Sequence, residues 1–466
     1  MGRTECCDVR LVQARVIEVG QALAPMPGEQ VVDAHNCLLL PGLHDHHLHL
    51  MAMAAAQRSL RLGPGHIETA DAFAEALSAL QQTNPGDWIR VTGYDPSIVG
   101  ELDIATLDKL SPERPVRVQH RGGRLWLLNS RALDVLCAEP HDSFPEGVSR
   151  SELRSTGRLI DSDQWLSQTL RHQMPDLTDI SFHLASLGVT SVTDTTPGNG
   201  QSEWAHFAES RRIGALLQQV RVMGSEELEQ CAPVEGLIIG ELKLHLLESA
   251  LPAFETLCER IAGAHRRGRN VAVHCVTRIE LIYALAALKE AGARKGDRIE
   301  HASVCPPELL EEIKHLDLRV VTQPAFLLER GDRYLKEVEL EDQAWLYRCR
   351  AFREAGIALA IGSDAPFATG NPWQHMHAAV QRRTLGGQVM NAAERIDPEY
   401  ALSLYLSPAD TPGSNSRSID PGVNADLCLL DRSWPLARLD LSQVKTRATW
   451  ISGKQVYYQS DDNSLS

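Results

Sequence analysis

The most informative segment of the sequence is Pro41-Gly42-Leu43-His44-Asp45-His46-His47-Leu48-His49-Leu50, which follows the apolar run Leu38-Leu39-Leu40. Four histidines and an aspartate within six residues, set in an apolar surrounding, predict a buried strand that carries metal ligands into a site. Because side chains in a strand alternate between its two faces, Asp45, His47 and His49 are expected to share one face. His44 and His46 are then expected on the opposite face. A surface cluster of histidines is the plain alternative, and it fits the apolar surrounding less well.

Composition and charge narrow the class of protein. The chain has 466 residues, of which 43% are hydrophobic and 23% are charged, as is ordinary for a globular protein with a large core. The formal net charge of −15 argues against a nucleic-acid partner, because phosphates demand a basic face. No apolar run approaches the roughly 18 residues of a membrane span, and residues 1–7 lack the apolar core of a signal peptide, so we expect a cytoplasmic protein without a membrane partner. The ten cysteines lack C-x-x-C spacing, which predicts neither a disulfide framework nor a cysteine zinc site.

A strand-then-helix rhythm begins near residue 180. Seven short apolar segments are predicted as buried strands, at 189–194, 217–222, 241–246, 270–275, 298–301, 318–323 and 358–364. Helical patterns lie between them, at 253–267, 279–291, 307–315 and 343–355. Strands that alternate with helices predict a parallel sheet, and with the strand that carries His47 the number of strands reaches eight. The sequence therefore predicts an α/β fold, a closed (β/α)₈ TIM barrel.

Three segments lie outside this rhythm. Residues 1–41 and 412–466 both read as short strands with turns, and each is small to fold alone, so we expect one small β-sandwich domain formed from both chain termini. The barrel then spans 42–411. Residues 60–175 are far too long for a connection after the first strand, which predicts an inserted subdomain over the active-site mouth.

The last polar residue of each strand is the candidate for chemistry, because functional residues of a (β/α)₈ barrel lie at the carboxyl ends of its strands. These residues are Asp45, His47, His49, Lys243, His274, His301 and Asp364. A single histidine at a strand end is commonly a hydrogen-bonded structural residue. Four of them with a final aspartate favour a site for divalent metal.

The motifs around these residues resemble the amidohydrolase superfamily. Within it, they are most similar to amidohydrolase family 3, the branch that contains N-substituted formamide deformylase. The resemblance rests on segments spread over nearly the whole chain, including Ala185-Ser186-Leu187-Gly188-Val189-Thr190, Arg298-Ile299-Glu300-His301-Ala302, Gly362-Ser363-Asp364-Ala365-Pro366 and Pro421-Gly422-Val423-Asn424-Ala425-Asp426-Leu427. It also extends into the insertion through Trp88-Ile89-Arg90-Val91-Thr92-Gly93-Tyr94-Asp95.

The resemblance implies a metal centre of one or two Zn²⁺ ions, with Mn²⁺ and Fe²⁺ as alternatives. One ion is expected on His47, His49 and Asp364, and a second on His274 and His301. A protonated Lys243 would repel a cation, whereas neutral lysine can take up CO₂ to give a carbamate that bridges two metals. The alternative for Lys243 is an outward-facing or salt-bridged lysine.

The implied reaction is hydrolysis of a C–N bond in an amide, cyclic amide or N-acyl compound. A metal lowers the pKa of bound water and so makes hydroxide available at neutral pH. Asp364 is then expected to act as general base and afterwards as general acid. A deaminase or isomerase on the same metal site is the alternative enzyme, and a non-catalytic scaffold on an inactive barrel is the alternative outside enzymes.

Departures from the family pattern indicate where substrate choice is encoded. This chain has Gly122-Gly123-Arg124 and Thr277-Arg278-Ile279 where relatives commonly carry Asp-Gly-His and Gly-Asp-Arg. Since arginine presents a planar fork matched to carboxylate, Arg124 and Arg278 predict a small substrate that is acidic or rich in carbonyl groups, with solvated surface arginines as the alternative. Further candidates for the mouth of the site are Tyr94, Trp126, Gln323 and Arg382. The resemblance also implies a homodimer.

Overall fold

The barrel is present in the computed structural model, which describes residues 6–63, 66–81, 88–121, 124–138, 144, 148–160, 162, 165–166, 169–170 and 174–459. Eight parallel strands form one sheet and follow each other around it in chain order. Their bounds, which define barrel strands one to eight, are Leu43–Leu48, Val189–Asp194, Gln219–Gly224, Leu237–His245, Val271–Cys275, Arg298–His301, Arg319–Thr322 and Ala358–Ile361. Their valines, leucines and isoleucines are largely buried, as parallel strands covered on both faces require.

The eighth strand meets the first at the site end of the sheet. The backbone N–H of Asp364 donates to the carbonyl oxygen of His47 at 2.6 Å. A Cβ atom on Gly362 would lie only 2.4 Å from the Cβ of His47, so glycine is required for this close approach. The glycine before the aspartate therefore allows the last strand to deliver Asp364 beside the histidines of the first.

Helices separate the strands. They are Leu50–Gln57, Thr178–Ser186, Gln201–Arg212, Phe254–Arg266, Arg278–Ala291, Pro307–His315, Ala325–Glu337, Leu340–Gln343, Arg350–Ala355, Pro372–Gln381, Pro398–Ser403 and Trp434–Ala437. Short 3₁₀ turns occupy Glu226–Gln230, Glu248–Ala250, Ala392–Glu394 and Leu441–Gln443. No helix in the described part of the chain is long and apolar enough to cross a membrane.

One predicted helix was wrong. The pattern at 343–355 is divided into Leu340–Gln343 and Arg350–Ala355, with irregular backbone between them. The backbone N–H of Tyr347 donates to Ser303 instead of closing a helical turn, and Tyr347 has a left-handed φ of 46°. Hydrogen bonds to a distant segment therefore override the local helical periodicity here.

Both chain termini contribute to the β structure outside the barrel. Strand Leu39–Pro41 pairs antiparallel with Leu427–Leu430, which pairs with Thr446–Ile451 and then with Lys454–Tyr458. A separate antiparallel pair joins Asp8–Val12 to Arg15–Gly20, and a single bridge connects Arg15 to Asn424. The predicted assembly of one β domain from both ends of the chain is thus confirmed.

Residues Met51–Pro175 pack as a compact unit of their own, which starts earlier than the predicted insertion at 60–175. Its five strands are Leu60–Arg61, Ile89–Tyr94, Val116–His120, Leu125–Leu128 and Arg158–Ile160, in that order across one mixed sheet. Its helices include Ala70–Gln81, Pro96–Val99, Ile104–Leu110, Ser130–Leu136 and Arg150–Thr156. Two buried clusters, one around Phe73 and one around Leu133, give the unit its own core.

Candidate metal centre

The predicted ligands converge at the carboxyl ends of the barrel strands. His47, His301 and Asp364 are buried, and each offers a ligand atom within 4.8 Å of the others. His49 adjoins them, because its Nε2 lies 3.1 Å from Oδ1 of Asp364. The Nε2 of His47 lies 3.4 Å from the same oxygen. The two histidines of the first strand therefore lie beside the carboxylate that follows the eighth.

Two of these ligands sit on unusual backbone. His301 is the last residue of barrel strand six, and its φ angle is 70°. Asp364 comes shortly after the end of barrel strand eight, and its φ angle is 54°. Left-handed conformations are uncommon for residues other than glycine and cluster at active sites, where the surroundings hold them. Exposed residues such as Asp317 share this conformation, so the backbone angle supports a functional role only together with the contacts of the two side chains.

The histidine rings form a continuous series across the mouth of the barrel. The ring of His301 lies 4.7 Å from that of His47 and 4.4 Å from that of His274. The two predicted metal subsites therefore appear as one connected cluster, with His301 adjoining both sides. Burial and repulsion from His47 lower the pKa of His301 to about 3, which favours the neutral imidazole that metals bind.

Asp364 is held as an anion. Burial alone would raise its pKa, but the neighbouring imidazoles of His47 and His49 lower the pKa well below its ordinary value. An ionised carboxylate between two imidazoles can ligate a metal and can accept a proton.

Lys243 lies inside the barrel, on strand four. Its Nζ is buried and has no hydrogen-bond partner among the described residues. Burial lowers the pKa of Lys243, although the nearby carboxylate of Glu300 opposes this shift. A solvated or salt-bridged lysine is therefore not what the structure contains. An orphaned buried amine beside imidazoles and a carboxylate is what a metal-binding role for this lysine requires.

The other face of the first strand has a packing role. His44 contacts the hydroxyl oxygens of Ser191 and Thr193 at 2.7 and 2.9 Å, and His46 contacts that of Ser407 at 3.0 Å. Asp45 is also not positioned as a ligand, since its Oδ1 accepts hydrogen bonds from the backbone N–H groups of His47 and Ser363. These contacts hold the backbone of barrel strand one, which carries His47.

The sequence analysis missed a buried ion pair behind His47. Glu300 Oε2 lies 2.5 Å from His47 Nδ1, and Glu300 Oε1 lies 2.7 Å from Nε of Arg298. Burial alone would raise the pKa of Glu300, but the cations around it, Arg298 foremost, lower it. The sequence Arg298-Ile299-Glu300-His301 could have indicated this ion pair, because side chains alternate along a strand and the two charged residues therefore lie on the same face.

Two further residues of the mouth were missed. His245 ends strand four, and its ring lies 4.3 Å from that of His274. Phe367 is 56% exposed and its ring lies 5.5 Å from that of His49. His245 could have been found from its position two residues after Lys243, on the same face of the strand.

The predicted substrate residues of the barrel fall into different roles. Arg278 begins the helix that follows strand five, is partly exposed, and lies 3.6 Å from Oδ1 of Asp342. Gln323 Oε1 lies 2.7 Å from Nδ1 of His301, which makes it an orienting partner of a ligand. Arg382 is fully buried, and its guanidinium donates to the carbonyl oxygens of Leu346, Tyr347 and Met390, so we assign it to holding backbone instead of substrate.

The other predicted substrate residues belong to the unit Met51–Pro175. Tyr94 is buried there, and its hydroxyl accepts from the N–H of Leu102 and donates to the carbonyl of Gly100. Trp126 is buried beneath the guanidinium of Arg117, 5.5 Å from its ring centre. Both side chains thus pack within the unit. Arg124 is exposed just before strand Leu125–Leu128, while Gly122 and Gly123 lie outside the described residues.

Known proteins resemble this chain along most of its length. N-substituted formamide deformylase of Arthrobacter pascens is 24% identical over 97% of this chain and 95% of its own length. Protein LONG AFTER FAR-RED 3 of Arabidopsis thaliana is 26% identical over 92% of this chain and 84% of its own. Among solved structures, an uncharacterized metal-dependent hydrolase from Pyrococcus horikoshii OT3 matches with a TM-score of 0.75 and 22% identity, over 93% of this chain and 94% of that one.

A model of the amidohydrolase family matches residues 30–457, a range that includes every candidate ligand and most of the β structure formed by the two termini. The match agrees with the eight-stranded barrel and with the cluster of His47, His301 and Asp364 at its strand ends. The chain therefore belongs to the amidohydrolase family.

Proposed function

We propose that this metal-dependent hydrolase cleaves a C–N bond in a small amide, cyclic amide or N-acyl compound. The observation that carries the proposal is the convergence of His47, His301 and Asp364 with a buried Lys243 that lacks a partner. Similarity to a protein named N-substituted formamide deformylase supports the bond type. We further propose zinc as the ion, with manganese or iron as alternatives, because imidazole-rich sites suit these metals.

The residues present fit a divalent ion. His47 and His49 with Asp364 would hold one ion, and His274 with His301 would hold a second where two are bound. Such an ion would activate water and polarise a carbonyl oxygen. Asp364 would take the proton from the attacking water and return it to the departing nitrogen, because its carboxylate is ionised and faces the cluster.

Removing the metal tests this assignment. Protein purified without chelator is expected to hold one to two equivalents of zinc, manganese or iron per chain, measured by elemental mass spectrometry. A chelator should abolish hydrolysis of a panel of N-substituted formamides, cyclic amides and N-acyl amino acids, and added metal should restore it. His47→Ala should lose metal, whereas His315→Ala, at an exposed helix end, should keep it.

Full activity in metal-free protein would contradict the proposal. Release of ammonia from an aminated ring, without hydrolysis of any amide in the panel, would identify the deaminase alternative instead.

Arg278 is the proposed determinant for acidic substrates, because it stands at the carboxyl end of strand five and is partly exposed. A charge-assisted hydrogen bond from it to a substrate carboxylate is worth about 1.5 kcal/mol, at the low end of the range because solvent screens it. Arg278→Met should therefore lower kcat/KM for N-acyl amino acids roughly tenfold and leave that for neutral amides unchanged. Arg212→Met, in an exposed pair with Glu209 at a helix end, is the control. An equal loss for both substrate classes would remove this role.

The described residues do not test the remaining expectations. A homodimer, a cytoplasmic location and a contribution of Arg124 to substrate binding stay predictions.

A further inference from the structure

Arg298 and Glu300 form a buried ion pair behind His47, and burying this pair costs free energy. Arg298 and Glu300 have no solvent exposure, and they lie on one face of barrel strand six. Taking two charges out of water costs several kcal/mol per ion, so apolar residues of similar volume are often as stabilising as a buried ion pair. The stability of the barrel alone does not account for a full charge at each of these positions.

The contacts of the pair lead to the metal centre. Glu300 receives the Nδ1–H of His47 on one oxygen, and its other oxygen forms an ion pair with Nε of Arg298 at 2.7 Å. Arg298 also donates from Nη2 to the carbonyl oxygen of His46 at 3.0 Å, next to the ligand in sequence. The ion pair therefore contacts both the ring of His47 and the backbone of the strand that carries it.

The other ligands with described Nδ1 contacts use neutral groups. His49 Nδ1 lies 2.9 Å from the hydroxyl oxygen of Thr196, and His301 Nδ1 lies 2.7 Å from the amide oxygen of Gln323. A carboxylate differs from these by its full negative charge, and because it accepts from the ring it places a proton on Nδ1 of His47 and leaves Nε2 as the atom that a metal can bind. It also increases the basicity of the imidazole toward a metal.

We propose that Glu300, with its charge balanced by Arg298, is a positioning residue that fixes His47 with Nε2 free for metal and thereby sets the affinity of the centre. This inference rests on the metal-dependent function proposed above. Partners of this kind are worth about 10- to 100-fold in metal affinity. Arg298 supplies the cation that keeps the carboxylate ionised in the absence of water.

The test is the zinc affinity of the full chain, measured by competition with a chelator of known affinity. Glu300→Gln keeps the shape and an acceptor for His47 but removes the charge, and zinc binding is expected to weaken 10- to 100-fold. Because this variant leaves Arg298 uncompensated, the double variant Arg298→Met with Glu300→Gln removes both charges and should show the same loss with a cooperative unfolding transition. The matched control is Glu394→Gln, which removes another buried carboxylate paired with an arginine, Arg348, away from the strands that carry the ligands. The control should bind zinc as the unmodified protein does.

Unchanged zinc affinity in Glu300→Gln would overturn the inference. Equal losses in Glu300→Gln and Glu394→Gln would also overturn it, because the effect would then belong to any buried charge. Absence of zinc, manganese and iron binding by the unmodified chain would overturn the proposed function itself, which separates the two failures.

Discussion

Asp364→Asn is expected to lower kcat by at least the roughly 10²- to 10⁴-fold that general acid–base catalysis contributes, while the protein stays folded. The carboxylate lies 3.1 Å from His49 Nε2 and 3.4 Å from His47 Nε2, inside the ligand cluster. An amide of the same shape cannot accept a proton from water at neutral pH, so the base is lost while the packing is kept. Asparagine also tolerates the left-handed backbone at this position, where φ is 54°.

The measurement is kcat on the preferred amide, together with metal content and the thermal unfolding midpoint of the same preparation. Asp317→Asn is the matched control, because Asp317 is exposed and has a similar left-handed φ of 50°. A variant of Asp364 that retains its metal and a near-normal rate would exclude the proton-transfer role. Loss of the metal together with the rate would limit Asp364 to the role of ligand.

The architecture was readable from the sequence because its signals are local. Short apolar runs such as 189–194 and 271–275 mark barrel strands whichever partners they find, and the residue that ends each strand is placed at one end of the barrel by topology alone. His47, His301 and Asp364 could therefore be assembled into one site before any distance was known.

What could not be read from sequence depends on distant partners. The guanidinium of Arg382 donates hydrogen bonds to the carbonyl oxygens of Leu346 and Tyr347, more than thirty residues earlier in the chain. No residue near Arg382 in the sequence indicates these contacts. The same segment 346–347 interrupts the helix expected at 343–355. In the same way, Glu300 reads as an ordinary polar position of a strand until the fold brings His47 to within 2.5 Å. Local patterns thus identify strand ends, while the partners that orient the ligands emerge only from tertiary contacts.

Lys243→Ala is expected to remove one ion of a two-metal centre and most of the hydrolytic activity. The amine is buried without a partner, and burial lowers its pKa, which increases the share of the neutral form. A neutral amine can attack the carbon of CO₂, lose a proton and become a carbamate, whose two oxygens can bridge two metals. Short carboxylic acids such as acetate and propionate should then enter the space left by the side chain and partly restore the rate, because they supply the same pair of oxygens.

Two measurements are made on the variant: its metal equivalents per chain and its rate as a function of added carboxylate. A third is made on the unmodified protein: the mass of the peptide that contains Lys243, after the carbamate has been trapped. Lys314→Ala, at an exposed helix position, is the control and should show neither loss nor rescue. Rescue by acetate but not by a primary amine of similar size would establish that the missing group is an anion. A lysine that acted as an ammonium ion could not give this result. Rescue by the amine instead would reverse the assignment, since Lys243 would then act through its own nitrogen and the centre would hold a single ion on the histidines and Asp364.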